Sequence, residues 1–163
     1  MQEILIAPFS DVDQQGVLDV ILPIQQREFG IPITEADQPD LTDIPEFYRS
    51  GTGGFWVARS NGKVVGTVGL KDIGSGQTAL RKMFVAAPFR GRELGVAGRL
   101  LDVLLAHARA KGVAEVFLGT TDKFLAAHRF YEKKGFGELQ KADLPKTFPV
   151  MAVDSKFYVM RLS

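Results

Sequence analysis

The sequence has no cysteine among its 163 residues. Disulfides, thiolate metal sites and a cysteine nucleophile are therefore excluded. Its two histidines, His107 and His128, are too few for a typical zinc site, so we predict no bound metal.

Long apolar runs and an excess of one charge are also missing. No stretch approaches the roughly 20 apolar residues that a membrane span needs. The first residues, MQEILIAPFSD, lack the basic leader and apolar core of a signal peptide. The net charge is +1 with 24% charged residues, which predicts no general attraction to nucleic acid. We expect a cytoplasmic protein that binds neither membrane nor nucleic acid.

The chain length and the absence of any linker, repeat or low-complexity run favour one domain over 1–163. A domain of this size buries roughly 70% of the surface that its unfolded chain exposes. A hydrophobic core is therefore available without disulfides.

Hydrophobic periodicity and turn residues predict the element order β-α-β-β-β-α-β-α-β-β. Pro23 predicts a kink in the first helix or its division into two shorter helices, and Gly112 predicts a left-handed stop after the long central helix. The residues between the first helix and the second strand are predicted to be a loop over 30–42 and a short helix over 43–49. The strands are predicted at 3–8, 55–59, 63–71, 78–85, 115–120, 136–139 and 156–162, and the longer helices at about 11–29, 93–111 and 123–134.

A basic, glycine-containing turn precedes the central helix. The residues RGRELGVAGRLL, 90–101, follow a strand that ends at Val85. The first N–H groups of a helix have no intrahelical partner, and the helix dipole adds positive potential there, so this turn is suited to phosphate. Gly95 and Ala97 allow close approach to the backbone. The alternative is an ordinary helix start that holds small residues and solvated arginines.

A second pattern, AHRFYEKKGF at 127–136, follows at a fixed distance. The two patterns together resemble the signatures of the GNAT superfamily of acetyl-CoA-dependent N-acyltransferases, most strongly over 77–139. The resemblance implies an α+β (α/β) fold with a mixed, mostly antiparallel sheet of six to seven strands flanked by about four helices. Two departures are the Phe124 where an asparagine is common and the absence of an acidic residue in TALRKMFV.

The resemblance implies that acetyl-CoA binds between the strand ending at Val85 and the strand 115–120. Arginines 90, 92 and 99 would surround the phosphates, and backbone donors of Met83–Val85 would face the thioester carbonyl. The expected coenzyme-binding residues are Met83, Phe84, Val85, Arg90, Gly91, Arg92, Glu93, Leu94, Gly95, Val96, Ala97, Ala127 and Tyr131.

Acyl transfer to nitrogen needs a base and an acid. A lysine-like amine with a pKa near 10.4 must lose a proton, which costs about 4.6 kcal/mol at pH 7. Glu28 is the first candidate for this base and Asp72 the second, although either fits an ordinary surface carboxylate. Tyr131 is the candidate acid for the departing thiolate; the alternative is a core tyrosine. We expect His128 to be half-buried and His107 to face solvent.

The acceptor is expected to be the amine of a small molecule or peptide. Its pocket should come from residues 25–50 and 140–156. Acidic residues at 28, 37, 40 and 43 would suit a cationic amine. The expected lining residues are Gln25, Arg27, Glu28, Phe29, Tyr48, Phe148 and Met151.

Two other functions are open from the sequence. One is a non-catalytic acyl-CoA-binding or sensing domain, because the acidic residue in TALRKMFV is missing. The other is an interaction module whose C-terminal strand forms an oligomer edge, such as that of a homodimer.

Overall fold

A seven-stranded mixed sheet forms the centre of the computed structural model, which describes residues 3–91, 93–122 and 125–162. The strand order is β1-β2-β3-β4-β5-β7-β6, and only the β4–β5 pair is parallel. The strands are β1 Ile4–Pro8, β2 Gly54–Ser60, β3 Lys63–Gly74, β4 Gln77–Val85, β5 Glu115–Thr120, β6 Gly137–Leu139 and β7 Lys156–Arg161.

Five α-helices lie within the described residues. Two of them, α2 and α3, are single turns, and α4 is the long central helix. Both predicted features of the sheet, its mixed character and its strand number, are confirmed. The helices are α1 Gln14–Pro23, α2 Pro39–Thr42, α3 Ile44–Tyr48, α4 Val96–Ala110 and α5 Leu125–Lys133.

Both faces of the sheet are buried, which explains its nearly continuous apolar strands. In β2, Trp56 and Ala58 pack into the cluster under α4, while Phe55 and Val57 pack into the cluster under α1. This alternation follows from the period of two in a strand. The predicted apolar face of α4 is buried as expected, namely Leu100, Leu101, Leu104, Leu105 and Ala108.

Pro23 divides the first helical region, as predicted, and two other local features differ from the sequence prediction. Pro23 ends α1, and the chain continues as a π-helical turn, Ile24–Glu28, in which the Phe29 N–H donates to the Ile24 carbonyl at 3.1 Å. Proline lacks the N–H of a regular helix, so the wider turn takes up the change. The predicted loop 30–42 contains α2. The central helix begins at Val96 rather than at 93, because Gly95 has left-handed dihedral angles, φ 58° and ψ 32°.

The C-terminal strand β7 is not the sheet edge that the interaction-module alternative needs. Phe157–Val159 pair with β5 on one side and with β6 on the other. The predicted turn at Asn61 and Gly62 and the helix stop at Gly112 have the positive φ angles that such positions require. Within the described residues, no helix has the length and apolarity needed to cross a membrane.

Candidate acetyl-transfer site

Strands β4 and β5 separate halfway along their length. Their parallel pairing covers Gln77 to Ala79 on β4, with Phe117 opposite Ala79, and then stops. Both strands nevertheless continue, β4 to Val85 and β5 to Thr120. Beyond this point the two strands no longer pair with each other, so their facing backbone groups can form hydrogen bonds with a ligand. The predicted divergence of these strands is therefore present.

A bulge in β4 shapes the mouth of the split. The register advances from Gly69–Arg81 to Thr67–Phe84, so β4 carries one extra residue. Lys82 has a φ of 56°, and its carbonyl accepts a 2.7 Å hydrogen bond from the Thr67 hydroxyl. Arg81 and Lys82 both line one cavity, and their cationic ends converge, each 3.8 Å from Asp40 Oδ2.

That cavity has a volume of about 230 Å³ and is called the acceptor cavity here. It lies between the separated halves of β4 and β5, α5 and the segment 148–154. Its walls are Gln25, Ile31, Ile33, Leu80, Arg81, Lys82, Met83, Phe84, Leu118, Gly119, Thr120, Thr121, Ala127, Tyr131, Phe148, Pro149, Met151, Ala152, Val153 and Asp154.

A second cavity, of about 270 Å³, adjoins it at Met83, Phe84 and Ala127. It extends to Val85 and Arg90, next to the glycine turn before α4. The second cavity thus leads from the acceptor cavity towards the loop that precedes α4.

The glycine turn presents the start of α4 but not all the expected cations. The Arg90 guanidinium donates to both carboxylate oxygens of Glu28, at 2.7 and 2.8 Å, and Arg99 donates to the Ile4 carbonyl at 2.7 Å. Both arginines are therefore engaged by the protein, and Arg92 lies outside the described residues. The structure instead brings the Lys134 Nζ to within 3.2 Å of the position that a Cβ on Gly98 would take. The turn also contains Gly91, Glu93 and Leu94. After Gly95, the first turn of α4 begins with Val96 and Ala97.

A buried polar network backs the two cationic side chains of β4. The Tyr48 hydroxyl donates to Asp40 Oδ2 at 2.5 Å, and the same oxygen lies 3.8 Å from Arg81 and 3.8 Å from Lys82. Lys82 Nζ also donates to the side-chain carbonyl of Gln38. Burial lowers the pKa of Lys82 to about 8, with Asp40 opposing the shift.

Asp154 is the carboxylate in the wall of the acceptor cavity. Its Oδ2 accepts a 2.9 Å hydrogen bond from the Met151 N–H and lies over Gly119, where a Cβ would approach it to 2.6 Å. Burial raises the pKa of Asp154 above its ordinary value, against the lowering effects of that hydrogen bond and of the neighbouring cations. A carboxylate with a raised pKa in a cleft has the properties of a general base.

Tyr131 is buried and contributes to the same wall. Among the described residues, none forms a hydrogen bond with its hydroxyl, so that hydroxyl is available to a ligand in the cavity. Burial raises the pKa of Tyr131, which keeps the phenol protonated at neutral pH. His128 is buried, with Nε2 2.9 Å from the Thr121 carbonyl, as a satisfied structural histidine would be.

The other residues predicted for the acceptor pocket or as its base lie at several different places. Phe148 and Met151 line the acceptor cavity and Phe29 lines the adjoining one, but Arg27 is exposed and outside both. Tyr48 is completely buried in the cluster under α1 and does not line the acceptor cavity. Asp72, the second candidate base, accepts from the N–H groups of Thr52 and Gly74 and holds a turn.

The expected acidic acceptor pocket is wrong. Glu28 pairs with Arg90, Asp40 is buried, and Asp37 and Asp43 accept from backbone N–H groups in their own turns. None of these four carboxylates is in the cavity wall. A strand-interior pair of cations in TALRKMFV was the available sequence signal for a cationic wall, and it was missed.

The prediction that His107 faces solvent is wrong, because its side chain is half-buried. Its Nε2 lies 3.0 Å from the Thr52 carbonyl, and its ring packs edge-on against Trp56 with centroids 4.9 Å apart. Because a carbonyl only accepts, Nε2 carries the proton. His107 therefore joins α4 to the loop before β2.

Comparisons with known proteins agree with this geometry. The model of the Acetyltransferase (GNAT) family matches residues 18–136. An N-acetylaspartate synthetase from Danio rerio is 39% identical over 111 residues, 65% of this chain and 39% of that protein. A probable N-acetyltransferase family 8 member 5 from Mus musculus is 37% identical over 109 residues, 64% of this chain and 47% of that protein. The chain thus spans less than half the length of these curated relatives.

A solved structure matches over the whole fold. The crystal structure of a GNAT-family acetyltransferase from Staphylococcus aureus Mu50 has a TM-score of 0.94 and 37% sequence identity, over 99% of this chain and 100% of that chain. The chain therefore belongs to the GNAT family of acetyltransferases.

Proposed function

We propose that this chain transfers an acetyl group from acetyl-CoA to the primary amine of an amino acid. The observation that carries the proposal is the split between β4 and β5, which opens onto a small cavity with acidic and cationic groups in its wall. The similarity to an N-acetylaspartate synthetase supports an amino acid as the acceptor.

The residues present fit coenzyme A as the donor substrate. The left-handed Gly95 exposes the first N–H groups of α4, which suit a diphosphate, and Lys134 lies beside the same turn. Beyond Ala79 the inner edge of β4 has no strand partner among the described residues, so its backbone can pair with the amide-containing pantetheine arm. The coenzyme, when bound, supplies an activated acetyl thioester.

The chain's own groups would then manage protons and charge. In the proposed reaction the acceptor nitrogen forms a bond to the acetyl carbon, and the carbon–sulfur bond breaks. Asp154 takes a proton from the acceptor amine, and Tyr131 gives its proton to the departing sulfur. Backbone N–H groups of the β4 segment Met83–Val85 donate to the carbonyl oxygen as it gains negative charge.

Glu28 is the competing candidate for the base. The hydrogen bonds from Arg90 lower the pKa of Glu28, so its carboxylate is a weaker proton acceptor than an unpaired one. The pair joins the π-helical turn to the phosphate turn, which suits a positioning role. Asp154 is preferred because its carboxylate is in the cavity wall and its pKa is raised.

Coenzyme A release tests the proposal. A thiol reagent reports the free thiol without background, since the protein has no cysteine. Incubation with acetyl-CoA and each amino acid in turn should release coenzyme A at a rate proportional to enzyme. Saturable binding of acetyl-CoA without turnover across amino acids, peptides and simple amines would refute catalysis and favour a sensing domain. Absence of acetyl-CoA binding would refute the donor site itself.

A further inference from the structure

Two adjacent cationic side chains occupy an unusually buried position in the acceptor cavity. The side chains of Arg81 and Lys82 are only 13% and 7% exposed, and both line the cavity. Neighbours in a regular strand face opposite sides of the sheet. The β4 bulge at Lys82 removes this alternation and turns both charges toward one space.

Their protein partners leave hydrogen-bond donors free for a ligand. The closest Asp40 oxygen is 3.8 Å from each cation, beyond hydrogen-bond distance, and it already accepts from Tyr48. Arg81 Nη2 lies 3.7 Å from the Met151 sulfur, which is a weak acceptor, and the Arg81 guanidinium also interacts with the Tyr48 hydroxyl. Lys82 donates one hydrogen bond, to Gln38. A guanidinium has five N–H donors and an ammonium has three, so both retain capacity.

The cavity wall offers opposite charges to different parts of an acceptor. Arg81 and Lys82 are on β4, whereas Asp154 comes from the segment that leads to β7. The rest of the wall is mainly apolar, with Ile31, Ile33 and other aliphatic or aromatic groups, and Asp154 is close enough to both cations to interact with them electrostatically. A zwitterion with a small apolar body matches this distribution, whereas a polyamine would place two cations beside Arg81 and Lys82.

We propose that Arg81 and Lys82 bind the carboxylate of the acceptor and thereby select α-amino acids over amines that lack this group. The inference rests on the proposed acetyl transfer and specifies its acceptor subsite. The carboxylate receives charge-assisted hydrogen bonds from the two side chains, and its binding orients the α-amine within the cavity. Arg81 and Lys82 are thus specificity-determining residues.

Matched acceptors test this subsite. L-Methionine, L-phenylalanine and L-glutamate are each compared with the corresponding α-carboxamide, with coenzyme A release as the measurement. Loss of charge-assisted hydrogen bonds should lower kcat/KM by about 10- to 100-fold for the carboxamide of an acceptor that the wild type uses. In R81Q and K82Q, KM for the carboxylate should rise by a similar factor, and the preference over the carboxamide should fall toward unity. R109Q removes an exposed arginine of α4 and is the matched control, for which the preference should be unchanged.

The outcomes separate this inference from the function on which it rests. Equal turnover of carboxylates and carboxamides would overturn the carboxylate subsite and leave acetyl transfer intact. Failure of both series in protein that binds acetyl-CoA would overturn the amino-acid class, whereas failure to bind acetyl-CoA would overturn the donor site. If R81Q or K82Q unfolds, R81K and K82R retain the charge. These variants must retain the carboxylate preference, and its loss in folded protein would also count against the subsite.

Discussion

Replacement of Asp154 by asparagine separates a catalytic carboxylate from a structural one. Asparagine has nearly the same shape, and its side-chain carbonyl can still accept the hydrogen bond that Met151 N–H donates at 2.9 Å. The substitution therefore removes the proton acceptor and the negative charge but keeps the loop contact. In the proposed mechanism this carboxylate takes the proton of the acceptor amine.

The expected loss of activity is large, and no loss of stability should accompany it. A positioned general base contributes about 10²- to 10⁴-fold, so kcat/KM at pH 7 should fall by at least about 100-fold in D154N. The folded-state pKa of Asp154 is raised chiefly by burial, so its ionised form opposes folding. The stability of the wild type relative to D154N should therefore decline as pH rises from below the ordinary value of 3.8 through the raised pKa. At pH 7 the melting temperature of D154N should equal or exceed that of the wild type.

Coenzyme A release at several pH values is the assay. Because the base acts only when ionised, the wild-type kcat/KM should rise as pH increases through the pKa of Asp154, and D154N should lack this limb. D102N removes an exposed carboxylate of α4 and should behave as the wild type. Persistence of the limb in D154N, with its loss in E28Q, would refute the reasoning and transfer the role to Glu28. A fall in activity matched by a fall in melting temperature would show that Asp154 is structural.

The other predictions concern the acid, the acceptor subsite and the core. Y131F should lower kcat roughly 100-fold while leaving acetyl-CoA binding intact, because it removes only a hydroxyl that has no hydrogen-bond partner among the described residues; an unchanged kcat in steady-state assays would exclude the acid role. KM for a carboxylate acceptor should rise as pH passes about 8, because Lys82 loses its charge there. The nearby Asp40 and Asp154 favour the charged form of Lys82, whereas burial and Arg81 oppose it. In K82Q this rise should be absent. L104A should reduce the free energy of unfolding by about 2–5 kcal/mol, because Leu104 is completely buried, and chemical denaturation would measure it.

Most of the fold could be predicted from the sequence, because local patterns determine it. Leucines at helical spacing define the buried face of α4, and Asn61 with Gly62 defines the β2–β3 turn. The two signature patterns predicted the strand split through family resemblance. In each case, residues close together in the sequence carry the information.

The charges of the site could not be predicted in the same way. Arg90 pairs with Glu28 across 62 residues, and Arg99 reaches the Ile4 carbonyl across 95. No local pattern indicates such partners, so both arginines seemed free for phosphate.

The acceptor subsite depends on two further non-local features. Lys82 adopts a left-handed φ that lysine has no intrinsic preference for, and the bulge places it beside Arg81. Asp154 lies in a segment without regular structure, and it reaches the cavity wall only because that segment folds over Gly119. The folded sheet brings these groups together.

Titration of acetyl-CoA into wild type, G95A and G95E tests the central claim, that the α4 N-terminus binds the coenzyme diphosphate. Both substitutions impose the same left-handed strain at φ 58°, roughly 1–2 kcal/mol, but only glutamate places bulk and negative charge at the phosphates. The account predicts saturable stabilisation of wild type, about 2.7 kcal/mol at 100 times Kd, retained binding in folded G95A and none in folded G95E. Equal affinity in G95A and G95E, or no stabilisation of the wild type, would contradict it.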